Sequence, residues 1–216
     1  MTAAAPTLEV ERSLVPRGGF VIGLDEVGRG AIAGPVSVGA VAADVWAVDP
    51  LEGVRDSKLL TQRRREALAE GVRAWGAARA VGVASAEEVD SLGIIAGLAL
   101  AARRALVELH AAGVEIMAST VLLDGTHDWL SPALRHRPRI VTRAKADRDC
   151  AVVATASVLA KLDRDGVMTE ADGVHPGYGW AGNKGYGSAG HFTAIRELGP
   201  TPLHRLSWLR HLAEPG

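Results

Sequence analysis

The chain has 216 residues, of which 48% are hydrophobic and 23% charged, and its formal net charge is -1. These values are typical of a folded globular protein with one sizeable core, and they exclude a disordered or fibrous chain. The near-neutral charge also means that a nucleic-acid partner would have to bind a local basic surface. Two stretches are candidates for such a surface. The first is Arg63 to Arg65, for which a solvated surface is the more common explanation, and the second contains Arg135, His136, Arg137, Arg139, Arg143, Lys145 and Arg148.

Cysteine content and hydropathy restrict the compartment. Cys150 is the single cysteine, so an intramolecular disulfide and a cysteine-rich zinc site are both excluded. The N-terminal residues contain charges and prolines and lack the apolar segment of a signal peptide. The most apolar run, Leu92 to Leu100, is much shorter than the ~20 residues of a membrane-spanning helix. We therefore expect a cytoplasmic protein without a membrane span.

The N-terminal part of the chain is predicted to begin with a flexible lead-in, residues 1–17, followed by a single domain over residues 18–216. Phe20 to Leu24 is short and apolar, as expected of a buried strand. A second strand is predicted from Val36 to Ala43 and a third from Ala78 to Ala84.

Helical signals separate and follow these strands. Apolar residues recur at helical spacing from Gln62 to Trp75, and Thr61 is a suitable N-cap. Ser85 and Glu88 have the spacing of a capping box, which predicts a helix start. A longer helix is expected from Ile94 to His110.

The C-terminal half repeats the alternation of strands and helices. Strands are predicted at Thr120 to Leu123 and at Ile140 to Thr142, and a helix rich in small residues from Cys150 to Lys161. After Gly173 the chain is glycine-rich and then helical. Strands that alternate with helices predict an α/β fold with helices packed on the sheet, whose strand order remains open.

Acidic side chains follow two of the predicted strands. Asp25 and Glu26 follow the first strand and Asp124 follows the fourth, while Asp147 precedes a helix. Ligands usually bind at strand ends in α/β sheets, and oxygen ligands suit hard cations such as Mg²⁺ or Mn²⁺. Each acid by itself is more often a cap, a turn former or a solvated charge. Only their joint placement favours a metal site.

The segment Asp25 to Gly30 must let two adjacent acids face the same metal. Adjacent strand residues point to opposite faces, so we expect the strand to break at Asp25 and Glu26 if both are to reach one metal. Gly28 and Gly30 would make such a break easy and would let a large ligand approach the main chain, with the donor group of Arg29 between them. The glycine spacing does not match a dinucleotide-binding loop.

The sequence resembles the ribonuclease HII family, the type 2 ribonucleases H, over nearly the whole chain. The shared motifs occur in the family's order: Asp25-Glu26-Val27-Gly28-Arg29-Gly30, Asp56-Ser57-Lys58-Leu59, Leu123-Asp124-Gly125, Lys145-Ala146-Asp147, Ala156-Ser157-Val158-Leu159-Ala160-Lys161 with Arg164-Asp165, His175-Pro176-Gly177-Tyr178-Gly179 and Lys184-Gly185-Tyr186-Gly187. The resemblance implies a ribonuclease H-like mixed sheet flanked by helices, with a helical C-terminal segment. It also implies hydrolysis of RNA in RNA–DNA hybrids and at single ribonucleotides in duplex DNA.

The resemblance assigns roles residue by residue. The catalytic metal ligands would be Asp25, Glu26, Asp124 and Asp147, holding two Mg²⁺ or Mn²⁺ ions. The substrate-binding residues would be Gly28, Arg29, Gly30 and Tyr186 at the ribose 2′-hydroxyl, with Ser57, Lys58, Lys145 and Lys184 near the backbone phosphates. The 2′-hydroxyl distinguishes RNA from DNA, and lysines position a duplex without reading its bases. Cleavage would occur on the 5′ side of the ribonucleotide and leave 3′-hydroxyl and 5′-phosphate ends.

Some residues depart from the pattern or are left without a catalytic role. Ala146 stands where many members have glycine, and it would be strained if the position needed a positive φ. Lys161 and Asp165 are expected to form a structural pair. The histidines are not assigned to catalysis: His127, His175 and His191.

Two other functions are compatible with the acids. A junction resolvase or an integrase-like strand transferase also gathers acids around two metals, but Arg29 and Tyr186 between glycines argue against both. A hybrid-binding module without catalysis is disfavoured because the four acids are intact. A monomer is expected, since no long heptad pattern is present.

Overall fold

The computed structural model describes residues 5–209, and their strands form one mixed five-stranded sheet. The strands are β1 (Phe20–Val27), β2 (Val36–Asp44), β3 (Ala78–Ala84), β4 (Thr120–Asp124) and β5 (Arg139–Arg143). Their order is β3-β2-β1-β4-β5. The β1–β2 and β2–β3 pairs are antiparallel, whereas the β1–β4 and β4–β5 pairs are parallel. The predicted strands are all present, with ends within one residue of those predicted, except that β1 extends three residues beyond Leu24, to Val27.

Helices cover both faces of this sheet. They are α1 (Glu9–Leu14), α2 (Gln62–Ala74), α3 (Ala86–Leu92), α4 (Ile94–Ala111), α5 (Ala146–Asp149), α6 (Ala151–Val174), α7 (Trp180–Asn183) and α8 (Ala189–Leu198). On one face α4 packs against β2 and β3, and on the other α6 packs against β1 and β2. This arrangement confirms the predicted fold class. None of the helices within residues 5–209 has the length and apolar character needed to cross a membrane.

Local sequence signals place several helix ends as predicted. Thr61 accepts a hydrogen bond from the amide of Arg64 at the start of α2, and the capping box of Ser85 and Glu88 is formed at the start of α3. The exception is α6, which has 24 residues and extends well beyond the predicted end at Lys161.

A glycine on β2 lets α6 approach the sheet closely beside Asp25, one of the predicted metal ligands. Gly39 on β2 pairs with Asp25 on β1. A Cβ at Gly39 would lie 2.2 Å from the carbonyl oxygen of Ala156 on α6. The missing side chain therefore brings α6, and with it Ser157, next to Asp25.

Part of the predicted lead-in is packed against the core, so the expectation of a flexible segment over residues 1–17 is wrong for its described part. Leu8 is 1% exposed and belongs to the core on the α6 face of the sheet. Glu11 is fully buried and accepts a hydrogen bond of 2.9 Å from the amide of Val152, near the start of α6. Residues 1–4 of the predicted lead-in lie outside the described residues.

The predicted break at Asp25 and Glu26 is also wrong. β1 continues through both residues to Val27 because its antiparallel pairing with β2 extends to Val27. Its parallel pairing with β4 ends earlier, at Leu24. The chain turns at Gly28, which has φ +81°.

Beyond the sheet, the C-terminal segment forms an aromatic core of its own. Tyr178 stacks on Trp180, and the indole nitrogen of Trp180 donates to His191 at 2.9 Å. His191 and His204 are both buried. The helical C-terminal segment is thus confirmed, and His191 is a core residue.

Candidate active site

The four predicted acids lie at the ends of elements that meet beside β1. Asp25 and Glu26 are near the end of β1, Asp124 is the last residue of β4, and Asp147 is in α5. Oδ1 of Asp124 accepts hydrogen bonds from the amides of Ala146 at 2.7 Å and Asp147 at 3.4 Å. Asp124 therefore holds the start of α5 against the end of β4 and brings Asp147 to the site.

The acids affect one another electrostatically. Burial raises the pKa of Asp25 to about 8; a hydrogen bond from Ser157 opposes this shift, and the charges of Glu26, Asp124 and Asp147 add to it. The pKa values of Glu26 and Asp147 are also raised, first by burial and then by the neighbouring carboxylates. The site concentrates four carboxyl groups, and the contacts of Arg29 with Glu26 and of Lys58 with Asp147 offset only part of their charge.

This donor set suits a hard divalent cation. The four side chains supply carboxylate oxygens, which Mg²⁺ and Mn²⁺ prefer, and a cation would relieve their repulsion. Within residues 5–209, no three acidic, histidine or cysteine side chains are already arranged as a metal-binding group. The carboxylates instead contact protein donors, as Asp25 does with the amide of Glu26 at 2.8 Å.

A short loop carries Ser57 and Lys58 to the acids. Nζ of Lys58 lies 3.4 Å from Oδ2 of Asp147. Burial acts to lower the pKa of Lys58, but the charges of Asp147, Asp25 and Asp56 outweigh it and raise this pKa. The hydroxyl oxygens of Ser157 and Ser57 lie 2.9 Å apart and share a hydrogen bond, which fixes the loop to α6.

One cavity of about 210 Å³ joins the acids to the residues predicted to contact ribose. Its lining contains Asp25, Glu26, Asp124, Gly28, Arg29, Gly30, Ser57, Lys58 and Tyr186. Arg29 is exposed and its guanidinium lies 3.5 Å from Glu26. The ring of Tyr186 is reachable from solvent, since the residue is 39% exposed.

A second cavity, of about 770 Å³, lies on the other side of the acids. Glu26, Arg29 and Asp124 line it as well, together with the loop of residues 125–129. His127, which the sequence analysis did not assign to catalysis, is part of this lining. Glu26 and Asp124 thus face two adjoining concave surfaces.

The structure does not bring Lys184 next to the acids. Lys184 is 7% exposed and its Nζ donates to Oγ1 of Thr169 at 2.7 Å, so its predicted position near substrate phosphates is wrong for this structure. Lys145 is exposed at the start of α5 and has φ +61°. In the motif Lys145-Ala146-Asp147, the residue with a positive φ is therefore Lys145. Ala146 lies in α5 without a positive φ.

Sequence reasoning paired Lys161 with Asp165 but missed the structural contacts of Arg65 and Ser157 next to the site. Asp165 forms ion pairs with Lys161 and, at 3.3 Å, with Arg65. The pair of Lys161 and Asp165 confirms the structural role expected of it, but Lys161 also lines the smaller cavity. Ser157 precedes Lys161 by four residues, so helical spacing was the signal that could have identified this face of α6.

The chain was compared with known proteins. Residues 22–211 match the family model of ribonuclease HII. A ribonuclease HII of Streptomyces avermitilis is 48% identical over 205 residues, which cover 94% of this chain and 83% of the relative.

Solved structures show the same fold. A ribonuclease HII of Archaeoglobus fulgidus, solved in complex with PCNA, has a TM-score of 0.69 and 25% identity, covering 88% of this chain and 95% of that one. A Bst ribonuclease HIII in complex with Mn²⁺ has a TM-score of 0.62 and 25% identity. The match covers 88% of this chain and 67% of that one. With the acid-lined cavity and the family match, these likenesses establish that the chain belongs to the ribonuclease HII family and is a nuclease that hydrolyses RNA paired with DNA.

Proposed function

We propose that this ribonuclease H incises duplex DNA on the 5′ side of a single embedded ribonucleotide and leaves 3′-hydroxyl and 5′-phosphate ends. One observation carries the proposal: three of the four acids, Asp25, Glu26 and Asp124, line the same cavity of about 210 Å³ as the segment Gly28–Gly30 and Tyr186. A phosphodiester placed at the acids would have its neighbouring ribose within reach of that segment.

The hydrolytic part of the site consists of Asp25, Glu26, Asp124 and Asp147, which would hold two divalent ions. Such ions, when bound, supply an activated water and stabilise the leaving oxygen. The chain's own contribution is to hold the carboxylates at adjoining strand and helix ends. The family likeness and the Mn²⁺ in the ribonuclease HIII structure support Mg²⁺ or Mn²⁺ as the ion.

The recognition part of the site consists of main chain and one aromatic ring. Gly30 lacks a side chain at an open position, so a ribose can approach the backbone closely enough for an amide to contact its 2′-hydroxyl, whereas the missing side chain of Gly28 makes room for Arg164. The half-exposed ring of Tyr186 can pack against the adjoining sugar or base. A deoxyribose would leave these polar groups without a partner, which disfavours its binding.

Two lysines are placed to hold phosphates. Lys58 is exposed beside Asp147, and Lys145 is exposed two residues before it. Both can contact backbone phosphates and position the duplex without reading its bases. The second cavity, which Glu26 and Asp124 also line, adds a concave surface for part of the bound duplex.

The test uses a labelled DNA duplex with one internal ribonucleotide and the same duplex with deoxyribose at that position. With Mg²⁺ or Mn²⁺, the first should be cut on the 5′ side of the ribonucleotide and the second should remain intact. A uniform RNA–DNA hybrid serves as the control for activity. Equal cutting of both DNA duplexes, or cutting of the hybrid alone, would overturn the proposal.

A further inference from the structure

Two buried arginines lie beneath the segment Gly28–Gly30. Arg164 on α6 and Arg205 in the C-terminal segment are both fully buried. Within residues 5–209 neither of them forms an ion pair. Burying a cation without a counter-charge is costly unless its donors find acceptors. Here six main-chain carbonyls accept from the two guanidinium groups, and Nε of Arg205 has no acceptor within the described residues.

Arg205 determines which way two peptide groups face. Its Nη2 donates to the carbonyl of Gly28 at 2.7 Å, and its Nη1 donates to that of Arg29 at 3.0 Å. In a planar trans peptide the carbonyl and the following N–H point in opposite directions. The amides of Arg29 and Gly30 are therefore turned away from Arg205. Within residues 5–209, neither amide donates to an acceptor in the protein.

Arg164 connects the same segment to Tyr186. It donates to the carbonyls of Ala33 at 3.1 Å and Lys184 at 2.9 Å. Its guanidinium carbon lies 5.5 Å from the centre of the Tyr186 ring. Arg164 also packs directly against Gly28. A Cβ at this position would lie 2.1 Å from Nε of Arg164, so only glycine fits there.

We infer that Arg205 and Arg164 are positioning residues for ribose recognition. Arg205 holds the amides of Arg29 and Gly30 outward as free donors for a 2′-hydroxyl, and Arg164 sets the position of this segment relative to Tyr186. The inference rests on the proposed function, because it assigns the origin of the proposed ribose selectivity. Neither arginine touches the reacting phosphate, and both act through main chain.

Lysine is the informative substitution at each position. It keeps the positive charge, but a single ammonium lacks the planar fork that holds two or three carbonyls at once. The measurement is the ratio of kcat/KM on a duplex with one ribonucleotide to kcat/KM on a uniform RNA–DNA hybrid. A duplex with one ribonucleotide can be cut in only one register, whereas a uniform hybrid can be cut in many. Imprecise positioning of the segment Gly28–Gly30 should therefore lower kcat/KM more on the first substrate. The ratio does not depend on the fraction of folded enzyme.

We expect R205K and R164K each to lower this ratio on the order of 10-fold, since small displacements of positioning groups have effects of this size. R104K, which changes an exposed arginine paired with Glu88 on the α4 face, should leave the ratio unchanged. Amide hydrogen exchange of Ala31 to Gly34, whose amides are hydrogen-bonded to main-chain carbonyls, should accelerate in R205K, while that of β2 stays as in the wild type.

The outcomes separate the two proposals. An unchanged ratio in both lysine variants, or a parallel loss of both activities, would overturn the inference while the wild-type enzyme still cuts at single ribonucleotides. A wild-type enzyme that cuts only the hybrid would overturn the proposed function instead, and the inference with it.

Discussion

Asp124 shows how one side chain connects the fold to the site. Its Oδ1 holds the amides of Ala146 and Asp147, and its charge raises the pKa values of Asp25, Glu26 and Asp147. An asparagine keeps a carbonyl oxygen for the two amides but loses the charge. The structural and chemical roles of this residue can therefore be separated.

We expect Asp124→Asn to reduce cleavage roughly 100-fold or more, because a carboxylate ligand of the ions is lost. The melting temperature should change little, since the two amides keep an acceptor. Cleavage rates and thermal melts on the same preparation check both statements.

Asp44→Asn is the matched control for this variant. Asp44 ends β2 opposite Phe20, at the far end of β1 from the acids, and its Oδ1 accepts from the amide of Trp46. This variant should cleave at the wild-type rate. Wild-type cleavage by Asp124→Asn would contradict the ligand assignment.

At the scale of elements, α6 holds the loop that carries Lys58. Arg65 donates to the carbonyls of Ser57 at 3.0 Å and Leu60 at 2.6 Å, and Asp165 on α6 pairs with its other guanidinium nitrogen. The side chains of Arg65 and Asp165 are 12% and 11% exposed. The ion pair is thus part of the connection between α6 and the loop.

We expect Asp165→Asn to lower the free energy of unfolding by about 3 kcal/mol, because it leaves Arg65 and Lys161 buried without a counter-charge. It should also raise KM more than it lowers kcat, since Lys58 is displaced from a binding role. Denaturant unfolding and steady-state kinetics test the two effects. Asp163→Asn, at an exposed position of the same helix, is the control; equal effects of both variants would refute the assignment.

At the scale of the whole molecule, the N-terminal helix α1 is held on the core through a buried acid. Burial raises the pKa of Glu11 to about 7, against hydrogen bonds from the main chain that lower it. A carboxyl whose pKa is higher in the folded state favours folding when it is protonated. Its contribution is complete below pH 4.5 and is lost as the pH rises through about 7.

Glu11→Gln mimics the protonated form at every pH. We expect this variant and the wild type to be equally stable near pH 4, and the variant to be more stable by about 3 kcal/mol at pH 8. Urea unfolding across this pH range measures the difference. A constant difference between pH 4 and pH 8 would show that Glu11 does not titrate in this way.

Much of the fold and the site could be predicted from local patterns. Apolar runs placed all five strands, the capping box of Ser85 and Glu88 placed a helix start, and acids after strands identified the metal ligands that we propose. These features depend on residues close together in the chain, so their physical causes are visible in the sequence. The motif order added the family and with it the shape of the fold.

Other features depend on contacts between residues far apart in the chain. Pairing with β2 carries β1 through Asp25 and Glu26, where side-chain direction alone predicted a break. Lys184 follows a glycine-rich pattern that predicted a surface lysine, but the packing of α7 on α6 turns its ammonium to Thr169.

The segment Asp25–Gly30 shows where the division lies. The sequence by itself determined its composition: two acids for cations and two glycines around an arginine for close approach. Only the tertiary structure decided which way its peptide groups face, because Arg205, more than 170 residues away, binds their carbonyls. Hydrogen bonds across such a separation have no local sequence signal, so no pattern in Asp25–Gly30 could have revealed them.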